Sequence, residues 1–380
     1  MSDTTIQPAP SHPRARGLGI PFDGQCGAHN AITDVPGVEV GFSTIVEGSG
    51  ALVVGQGPVR TGVTAIFPRG REAAPEPVWA GLSSFNGNGE LTGAHWINEA
   101  GYFTGPICLT NTHSVGMTHH ALVKWLTRHP AYDSAAEMWL MPVVAETCDA
   151  DLNDMNGLHV TEDHVRAALE SARAGPVTEG NVGGGTGMIC YGFKGGTGTA
   201  SRRIEVGGET YHLGALVQAN FGRPRWLAVR GVPVGKHLTE RLVKEDDRGS
   251  IIAVVATDAP LLPIQLQRVA RRITLGVGRT GTVGGNGSGD IFLAVSTGNP
   301  VEESSVSPMP AVHYVPSERL DPIFEATVDA VEEAIINALI AAETMIGCDD
   351  NKVVAIDHAR LQEVMRTHGR LNGRARATTK

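Results

Sequence analysis

The chain has 380 residues and a formal net charge of −9 at pH 7, from 31 Lys and Arg against 40 Asp and Glu. This acidic balance lacks the basic surface that nucleic-acid-binding and anionic-membrane-binding proteins share, so it favours a small molecule or a peptide as the partner. The 48 glycines, 41% hydrophobic residues and 5% aromatic residues exclude disorder and coiled coil, and they indicate a large aliphatic core.

The pattern of apolar residues predicts strands and helices that follow one another in a single domain spanning residues 1–380. Residues 1–16 and 370–380 are predicted to be polar tails without chemistry. In chain order, the predicted elements between them are strands at 63–67 and 139–145, a helix from 162 towards 175, strands at 212–218 and 251–256, a helix from about 263, a strand at 291–296 and a long helix from about 322.

The predicted helices have amphipathic patterns. Thr161 is the expected N-cap of the first helix, which continues through Ala172. The second helix places Ile264 on its apolar side, and the third has an apolar stripe from Phe324 to Ile346. Several strands are apolar on both faces, which predicts buried sheets covered by helices and therefore a layered α/β fold. Periodicity does not distinguish a doubly wound sheet from two stacked sheets.

The five cysteines are odd in number, widely spaced and without a C-x-x-C pair. They therefore predict neither a disulfide framework nor a zinc knuckle, and they fit a reducing compartment. The first residues have no apolar stretch of the kind found in signal peptides, and no apolar run approaches the length of a membrane span. We expect a cytoplasmic protein that does not enter a membrane.

Glycine-rich stretches at 183–187, 192–198 and 281–289 are the most visible local features. None has the order of a P-loop or the spacing of a dinucleotide-binding motif, so sharp turns and close packing are the favoured interpretation. The fourteen histidines include the adjacent pair His119 and His120 but no H-E-x-x-H motif, which favours structural or surface roles over a metal site. No G-x-S-x-G elbow marks an α/β-hydrolase.

The segment from Lys244 to Ala256 joins a charged run to an apolar strand through Gly249 and Ser250. A Gly-Ser pair before a strand is usually a turn. Here the Ser250 hydroxyl could also attack the Gly249 carbonyl, shift the acyl group from nitrogen to oxygen and release a chain that begins with the nucleophile. The α-amine so formed titrates near ~7.7 to 8.0, so it can act as the base without a histidine.

Eight sequence blocks lie in order over nearly the whole chain: ITDVPGVEVGF (32–42), NGNGELTGAHWINEAG (86–101), LTNTHSVG (109–116), VVAETCDADLND (143–154), VGGGTGM (182–188), VQANFG (217–222), the RGS junction and GGNGSGDIFLAVSTGN (284–299). Together they resemble the L-aminopeptidase/D-esterase and β-peptidyl aminopeptidase family. The resemblance implies an N-terminal-nucleophile-like fold, a four-layer αββα sandwich in which helices cover two stacked sheets. It also implies self-cleavage into an α chain of residues 1–249 and a β chain of residues 250–380, assembled as a tetramer of αβ units.

The resemblance assigns catalytic roles residue by residue. Ser250 matches the nucleophile, and its freed amine would be the general base. Asn220 matches the oxyanion-hole asparagine, with the backbone N–H of Gly289 as a second donor. Ser288 and Asp290 match the polar pair that positions the nucleophile and its amine. Some relatives have Glu where this chain has Asp290, so the carboxylate here is one methylene shorter.

Glu146 matches the acidic residue that receives the free ammonium group of the substrate. A carboxylate at the end of an apolar strand needs a partner on physical grounds as well, and a salt bridge is the alternative interpretation. Cys148 stands where some relatives carry a tyrosine that assists the oxyanion, and no role is assigned to it because a thiol cannot donate in the same way. Loops around Glu146 and residues 86–91 are expected to shape the substrate pocket.

The implied function is that of an autoprocessing serine aminopeptidase, which forms an acyl-enzyme on Ser250. Its substrates would be short peptides, amides and esters with a free amino group, and the first residue would be an L-, D- or β-amino acid. No metal or organic cofactor, nucleic acid or membrane is implied. Three alternatives remain: an acyltransferase of related fold such as the ornithine acetyltransferases, whose nucleophile is threonine, an amidase acting on nylon-like oligomers, and an uncleaved, non-enzymatic binding protein.

Overall fold

The computed structural model describes residues 13–132, 139–238, 249–299 and 311–371. The strands are β1 (Glu39–Glu47), β2 (Val59–Phe67), β3 (Pro77–Gly87), β4 (Tyr102–Thr104), β5 (Ile107–Asn111), β6 (Val143–Thr147), β7 (Ile189–Cys190), β8 (Phe193–Lys194), β9 (Gly196–Val206), β10 (Glu209–Asn220), β11 (Ser250–Thr257), β12 (Gly289–Ser296), β13 (Met345–Ile346) and β14 (Lys352–Val353). The α-helices are α1 (Ala94–Ala100), α2 (Val115–Leu126), α3 (Glu162–Glu170), α4 (Pro263–Arg279), α5 (Asp321–Ala341) and α6 (His358–Thr367).

Two sheets form the centre of the fold. One has four strands in the order β1-β2-β5-β6, and the other has six in the order β4-β3-β12-β11-β10-β9. Strand β11 runs parallel to β12 and antiparallel to β10, and β12 in turn pairs with β3. The strand that begins with Ser250 is therefore an interior strand of the larger sheet, paired along both edges.

Three clusters of buried apolar side chains fill the spaces between four layers, the two sheets and the helices on either side of them. The first contains side chains from both sheets, among them Ile66, Leu109 and Val254, so the two sheets stack face to face. The second joins the larger sheet to α4, α5 and α6, and the third joins the smaller sheet to α2 and α3. The predicted αββα sandwich, with two stacked sheets covered by helices, is confirmed. Within the described residues no helix is both long enough and apolar enough to span a bilayer.

Strand β11 shows why so many strands are apolar on both faces. Ile252 and Val254 belong to the cluster between the sheets, whereas Ile251 and Val255 belong to the cluster under the helices. Successive side chains of a strand point to opposite faces, so Ser250 has the same direction as Ile252 and Val254. The predicted nucleophile therefore lies on the side of the larger sheet that faces the smaller sheet.

The first two predicted helices exist, but their details differ from the prediction. Helix α3 follows Thr161 as predicted and ends at Glu170, so Ala172 lies beyond it. Ile264 in α4 is 62% exposed, whereas Ile273 is fully buried. The prediction that Ile264 lies on the apolar side was wrong. Nine residues separate Ile264 from Ile273, so at ~100° per residue their side chains point to roughly opposite sides of the helix.

The third predicted helix, α5, begins at Asp321 and ends at Ala341, so Ile346 lies outside it in β13. Every residue from Ala326 to Ala341 is buried, including polar ones. The helix is buried on all sides rather than along one stripe, because it packs on β9 and β10 and also against α4.

Four of the five predicted strands exist as β2, β10, β11 and β12. Each is a few residues longer than predicted at one or both ends. The fifth was placed too early: β6 begins at Val143, and Trp139 precedes it with 73% of its surface exposed. The prediction missed β1, β3, β5 and β9. Strand β3 (PVWAGLSSFNG) and strand β9 (GTGTASRRIEV) are rich in Gly, Ser and Thr, which weakens the alternation that marks a strand.

The N-terminal tail prediction was too long. Ala15 is fully buried, Arg14 forms an ion pair with Glu179, and Arg16 forms one with Glu333. Residues 14–16 are therefore part of the packed fold, and residues 1–12 of the predicted tail lie outside the described residues. So do residues 372–380 of the second tail and residues 244–248 of the charged run before the Gly-Ser pair.

Candidate active site

Ser250 is the first residue of β11 and is 5% exposed. The strand register places it beside Gly289 of β12 and opposite Asn220 of β10. Its Oγ accepts a hydrogen bond from the backbone N–H of Gly289 at 3.3 Å, and the same N–H donates to the carbonyl oxygen of Gly249 at 3.3 Å. One N–H group therefore contacts both the predicted nucleophile and the carbonyl that it would attack.

Close backbone approach explains the glycines on both sides of the nucleophile. A β-carbon on Gly249 would overlap the carbonyl oxygen of Asn220, and one on Gly289 would overlap the carbonyl oxygen of Asn88. Only glycine fits two backbones at such separations. Packing therefore requires glycine at position 249. A glycine there also leaves its carbonyl sterically accessible to the nucleophile.

The side-chain amide of Asn220 is held at both of its ends. Its Oδ1 accepts a hydrogen bond from the N–H of Ile189 at 2.7 Å, and its Nδ2 donates to the carbonyl oxygen of Cys148 at 2.8 Å. An amide nitrogen carries two hydrogens, so a second one remains for a developing oxyanion. Directly paired residues of antiparallel strands have side chains on one face, which brings this amide beside Ser250.

A hydrogen bond joins Ser288 and Asp290. The Ser288 hydroxyl donates to Oδ1 of Asp290 at 2.7 Å, and Nδ2 of Asn86 donates to Oδ2 at 3.0 Å. The register places Asp290 beside Ile251, one residue along from the nucleophile, and the β12–β3 pairing is irregular at this point. Asn86 was not predicted as a partner of Asp290, although it lies in one of the eight sequence blocks.

Glu146 lies in β6 of the smaller sheet and is 3% exposed. Its Oε1 accepts a hydrogen bond from the N–H of Glu90 at 3.0 Å, and its Oε2 accepts one from the hydroxyl of Thr112. Burial raises the pKa of Glu146, and these two hydrogen bonds oppose the shift. Both donors are neutral, so the site favours a cationic partner for the buried carboxylate.

Gly89 lies close to both the Glu146 carboxylate and Gly289. A β-carbon placed on Gly89 would lie 3.1 Å from Oε1 of Glu146 and 3.7 Å from Cα of Gly289. The acidic group of one sheet is therefore near the residue that contacts Ser250 in the other sheet. Two residues that are more than a hundred positions apart in sequence are brought to one site by the stacking of the sheets.

Two neighbouring residues have roles that the sequence did not suggest. Thr112 follows Asn111, whose side chain accepts hydrogen bonds from the backbone N–H groups of His113 and Ser114 and so orients the turn that presents Thr112 to Glu146. Cys148 contributes its carbonyl oxygen to Asn220, while burial raises the pKa of its thiol and so disfavours a thiolate. The sequence signal for Thr112 was its block, LTNTHSVG, to which no chemistry was assigned.

A model of peptidase family S58 matches residues 30–353 of the chain. The chain belongs to this family. Two similar proteins are described as β-peptidyl aminopeptidase BapA. That of Sphingosinicella microcystinivorans is 49% identical over 376 residues, which cover 94% of this chain and 93% of the relative. That of Sphingosinicella xenopeptidilytica is 47% identical over 368 residues, which cover 93% of this chain and 91% of the relative.

Solved structures of the family share the fold of this S58 peptidase. The L-aminopeptidase D-Ala-esterase/amidase of Ochrobactrum anthropi superposes with a TM-score of 0.89 at 54% identity, covering 94% of this chain and 99% of that chain. A β-aminopeptidase of Burkholderia sp. gives 0.85 at 46% identity, covering 94% and 99%. The first is described as a prototype of the serine aminopeptidases and a variant of the N-terminal nucleophile hydrolase fold. The predicted family, fold and enzyme class are confirmed: this S58 peptidase is a serine aminopeptidase with that fold.

Proposed function

We propose that this S58 peptidase cleaves itself between Gly249 and Ser250 and then uses Ser250 to remove the first residue from short peptides, amides and esters with a free amino group. The closeness of the Glu146 carboxylate to Gly289, both within 4 Å of a β-carbon placed on Gly89, is the observation that supports this best. A substrate ammonium paired with Glu146 would place the carbonyl of the first residue near Ser250. The enzyme would accept L-, D- or β-amino acids at that position.

Self-cleavage starts from the Ser250 hydroxyl. Its Oγ attacks the carbonyl carbon of Gly249, the bond from that carbon to the Ser250 nitrogen breaks, and the hydroxyl proton passes to the nitrogen. The N–H of Gly289, 3.3 Å from the Gly249 oxygen, is placed to meet the negative charge that develops there. Water then hydrolyses the ester, which yields the Gly249 carboxylate and a Ser250 residue with a free α-amine.

Substrate hydrolysis then uses the new α-amine as the base. The amine takes the proton of the Ser250 hydroxyl, Oγ attacks the substrate carbonyl, and Nδ2 of Asn220 together with the N–H of Gly289 stabilises the oxyanion. The amine gives this proton to the leaving group. A water molecule then gives a proton to the amine and attacks the acyl carbon, the bond from that carbon to Oγ breaks, and Oγ takes the proton back from the amine. The bonded pair Ser288 and Asp290 would position the nucleophile and its amine from β12.

We also propose that the enzyme is a cytoplasmic homo-oligomer, a tetramer of αβ units. The end of β1 and the connection to β2 expose four large apolar side chains, and burial in a subunit interface would remove them from water: Val46, Leu52, Val53 and Val54. The five free thiols support a reducing compartment. Light scattering on the purified protein tests the assembly, and a monomeric αβ unit would overturn it.

Intact mass spectrometry of wild type and Ser250→Ala tests the proposal. Purified wild type should contain two polypeptides, the second beginning at Ser250, and it should hydrolyse at least one of the L-Ala, D-Ala and β-alanyl anilides. Ser250→Ala should stay a single chain without activity, because no nucleophile is present for either reaction. Ser250→Cys, whose thiol is also a nucleophile, is the matched variant that should still cleave. A wild type that remains a single chain and is fully active would overturn the mechanism.

A further inference from the structure

Lys194 is a fully buried lysine that the mechanism above does not use. Its side chain is among the largest that are completely inaccessible to solvent. The Nζ atom donates hydrogen bonds to three backbone carbonyl oxygens, those of Met188 at 2.9 Å, Gly195 at 2.9 Å and Gly185 at 3.4 Å. The described residues give it no ion-pair partner. Burial lowers the pKa of Lys194 to about 7, and the nearby Cys190 side chain opposes this shift.

A buried ammonium without a carboxylate is costly, and an apolar side chain of similar length would avoid the desolvation penalty. The position therefore needs an explanation beyond filling space. Two of the three carbonyls belong to segment 183–188 and the third to Gly195, which directly precedes β9, so one cation joins both ends of a sharp turn. A second hydrogen bond, from the N–H of Gly195 to the carbonyl of Met188 at 2.9 Å, closes the same turn.

The turn ends at Ile189, which holds the side chain of Asn220, the proposed oxyanion-hole residue. The carbonyl of Met188 accepts from Lys194, and the next residue, Ile189, donates its N–H to Oδ1 of Asn220 at 2.7 Å. Met188 and Ile189 share one peptide plane, so fixing its carbonyl oxygen also fixes the direction of its N–H. A single planar peptide group therefore connects the contact with Lys194 to the contact with Asn220.

We propose that Lys194 is a positioning residue for catalysis, which orients Asn220 through the Met188–Ile189 peptide so that the amide meets the oxyanion. The inference rests on the proposed role of Asn220. Without the ammonium the Met188 carbonyl keeps only the hydrogen bond from the N–H of Gly195, so the peptide plane is less constrained and the contact from Ile189 that determines which way the Asn220 amide faces is weakened. The substrate would still bind through Glu146, so the effect should fall on the chemical step.

Steady-state kinetics of the processed Lys194→Met variant test the proposal. Methionine has nearly the same length and is apolar, so it fills the space without donating to the carbonyls. We expect kcat to fall by up to about 100-fold with little change in KM, because a misplaced oxyanion donor costs that order of magnitude. Arg60→Met is the matched control: Arg60 is also a buried cation bound to backbone carbonyls, those of Ile346, Glu47 and Gly48, but it does not join the turn that holds Asn220. Its kcat should stay close to wild type.

A double-mutant cycle separates positioning from general stabilisation. In the Asn220→Ala background, Lys194→Met should lower kcat no further, whereas two independent effects would multiply. Multiplied effects would overturn the inference while leaving the proposed function intact. If Asn220→Ala itself has no effect on kcat, the oxyanion role of Asn220 fails instead, and the two failures are distinguishable.

Hydrogen–deuterium exchange provides a measurement that does not require cleavage. In the uncleaved Ser250→Ala protein, the peptide that contains Ile189 should exchange faster when Lys194→Met is added and at an unchanged rate when Arg60→Met is added. If Lys194→Met prevents self-cleavage, Lys194→Gln, which can still donate to two carbonyls, replaces it in the kinetic test. Unchanged exchange at Ile189 in Lys194→Met would overturn the proposal.

Discussion

Glu146 shows how a single buried side chain can decide the type of peptidase. It combines 3% exposure with two neutral donors, Thr112 and the N–H of Glu90, and burial raises its pKa. A carboxylate in this state gains most from a cation that enters the site with the substrate. Gly289, which contacts Ser250, lies close to Glu146, so that cation would be held near the bond that is cleaved.

Blocking the substrate amine therefore should abolish most of the activity. N-acetylated anilides lose the charged contact and leave a buried carboxylate without its partner, a penalty of about 2 to 5 kcal/mol in the transition state. This corresponds to roughly a thirtyfold to several thousandfold decrease in kcat/KM. Glu146→Gln, once shown to be cleaved at Ser250, should lose a similar amount on free-amine anilides.

Glu99→Gln is the control for that experiment, because Glu99 is an exposed carboxylate of α1 and the change removes the same charge elsewhere. Its kcat/KM should match wild type. Equal rates of the wild type on blocked and free anilides would show that Glu146 is structural and that the enzyme is a general amidase or esterase.

At the scale of elements, glycines in the strands lie where the helices pack closely on the sheets. Gly198 of β9 lies against α5, and a β-carbon there would overlap the carbonyl oxygen of Ala334 and lie 2.7 Å from the Ala338 side chain. Gly81 of β3 contacts α4 in the same way, and Gly41 of β1 contacts α3. The high glycine content of the chain thus has a packing function, since each such glycine lets a helix backbone approach a strand backbone.

Gly198→Ala should separate α5 from β9 and destabilise the protein by about 1 to 3 kcal/mol, the usual cost of an overpacked site. The measurement is the thermal midpoint of unfolding in the single-chain Ser250→Ala background, which avoids dissociation of cleaved chains. Gly278→Ala is the matched control, because Gly278 is an exposed position in α4 with open space around it and should gain up to about 1 kcal/mol in helix propensity. A Gly198→Ala midpoint at or above that of Gly278→Ala would contradict the packing argument.

At the scale of the whole molecule, the two proposed chains would be interlocked. Strands β11 and β12 follow the cleavage point, and they pair with β10 and β3, which precede it. Ion pairs also cross between the parts. Glu333 of α5 accepts from Arg16 at 2.8 Å and from Arg202 at 2.8 Å, and Arg230 pairs with Glu332. Self-cleavage therefore breaks one peptide bond without breaking any strand pairing.

The Glu333 network should give the fold a defined dependence on pH. Although burial opposes it, Arg16 and Arg202 lower the pKa of Glu333 below the ordinary glutamate value of 4.5. A carboxyl group with a lowered folded pKa contributes stability above its unfolded pKa, and this contribution is lost as pH falls through the folded pKa. Glu333→Gln should cost about 3 kcal/mol at pH 7, because it leaves buried arginines uncompensated.

Urea unfolding of the Ser250→Ala protein with and without Glu333→Gln, from pH 7 to pH 3, tests this expectation. The difference between the two midpoints should be largest at pH 7 and shrink below about pH 4.5, as the glutamate of the reference protein becomes protonated. Glu325→Gln, an exposed position on the same helix, should show little difference at any pH. A difference for Glu333→Gln that is independent of pH would show that the ion pairs do not contribute.

The sequence by itself determined the layered class of the fold, eight of the twenty α-helices and strands of the described residues and, through the resemblance of its eight blocks, the family. These features depend on local patterns: a continuous apolar run in strands such as β11, periodicity in α4 and the Gly-Ser pair before an apolar strand. Even there, the local pattern misplaced Ile264, because a side chain's burial depends on which face the rest of the molecule covers.

Only the tertiary structure decided which residues meet at the site. Thr112, which follows β5, meets Glu146 of the neighbouring β6 in one sheet, Asn86 and Asp290 lie on neighbouring strands of the other, and Gly89 lies close to Glu146. No local pattern marks these contacts, because they join positions that are tens to hundreds of residues apart and arise only when the two sheets stack. The buried position of Lys194 likewise follows from the packing of a turn against its neighbours, since a lysine next to glycines in sequence is ordinarily a surface residue.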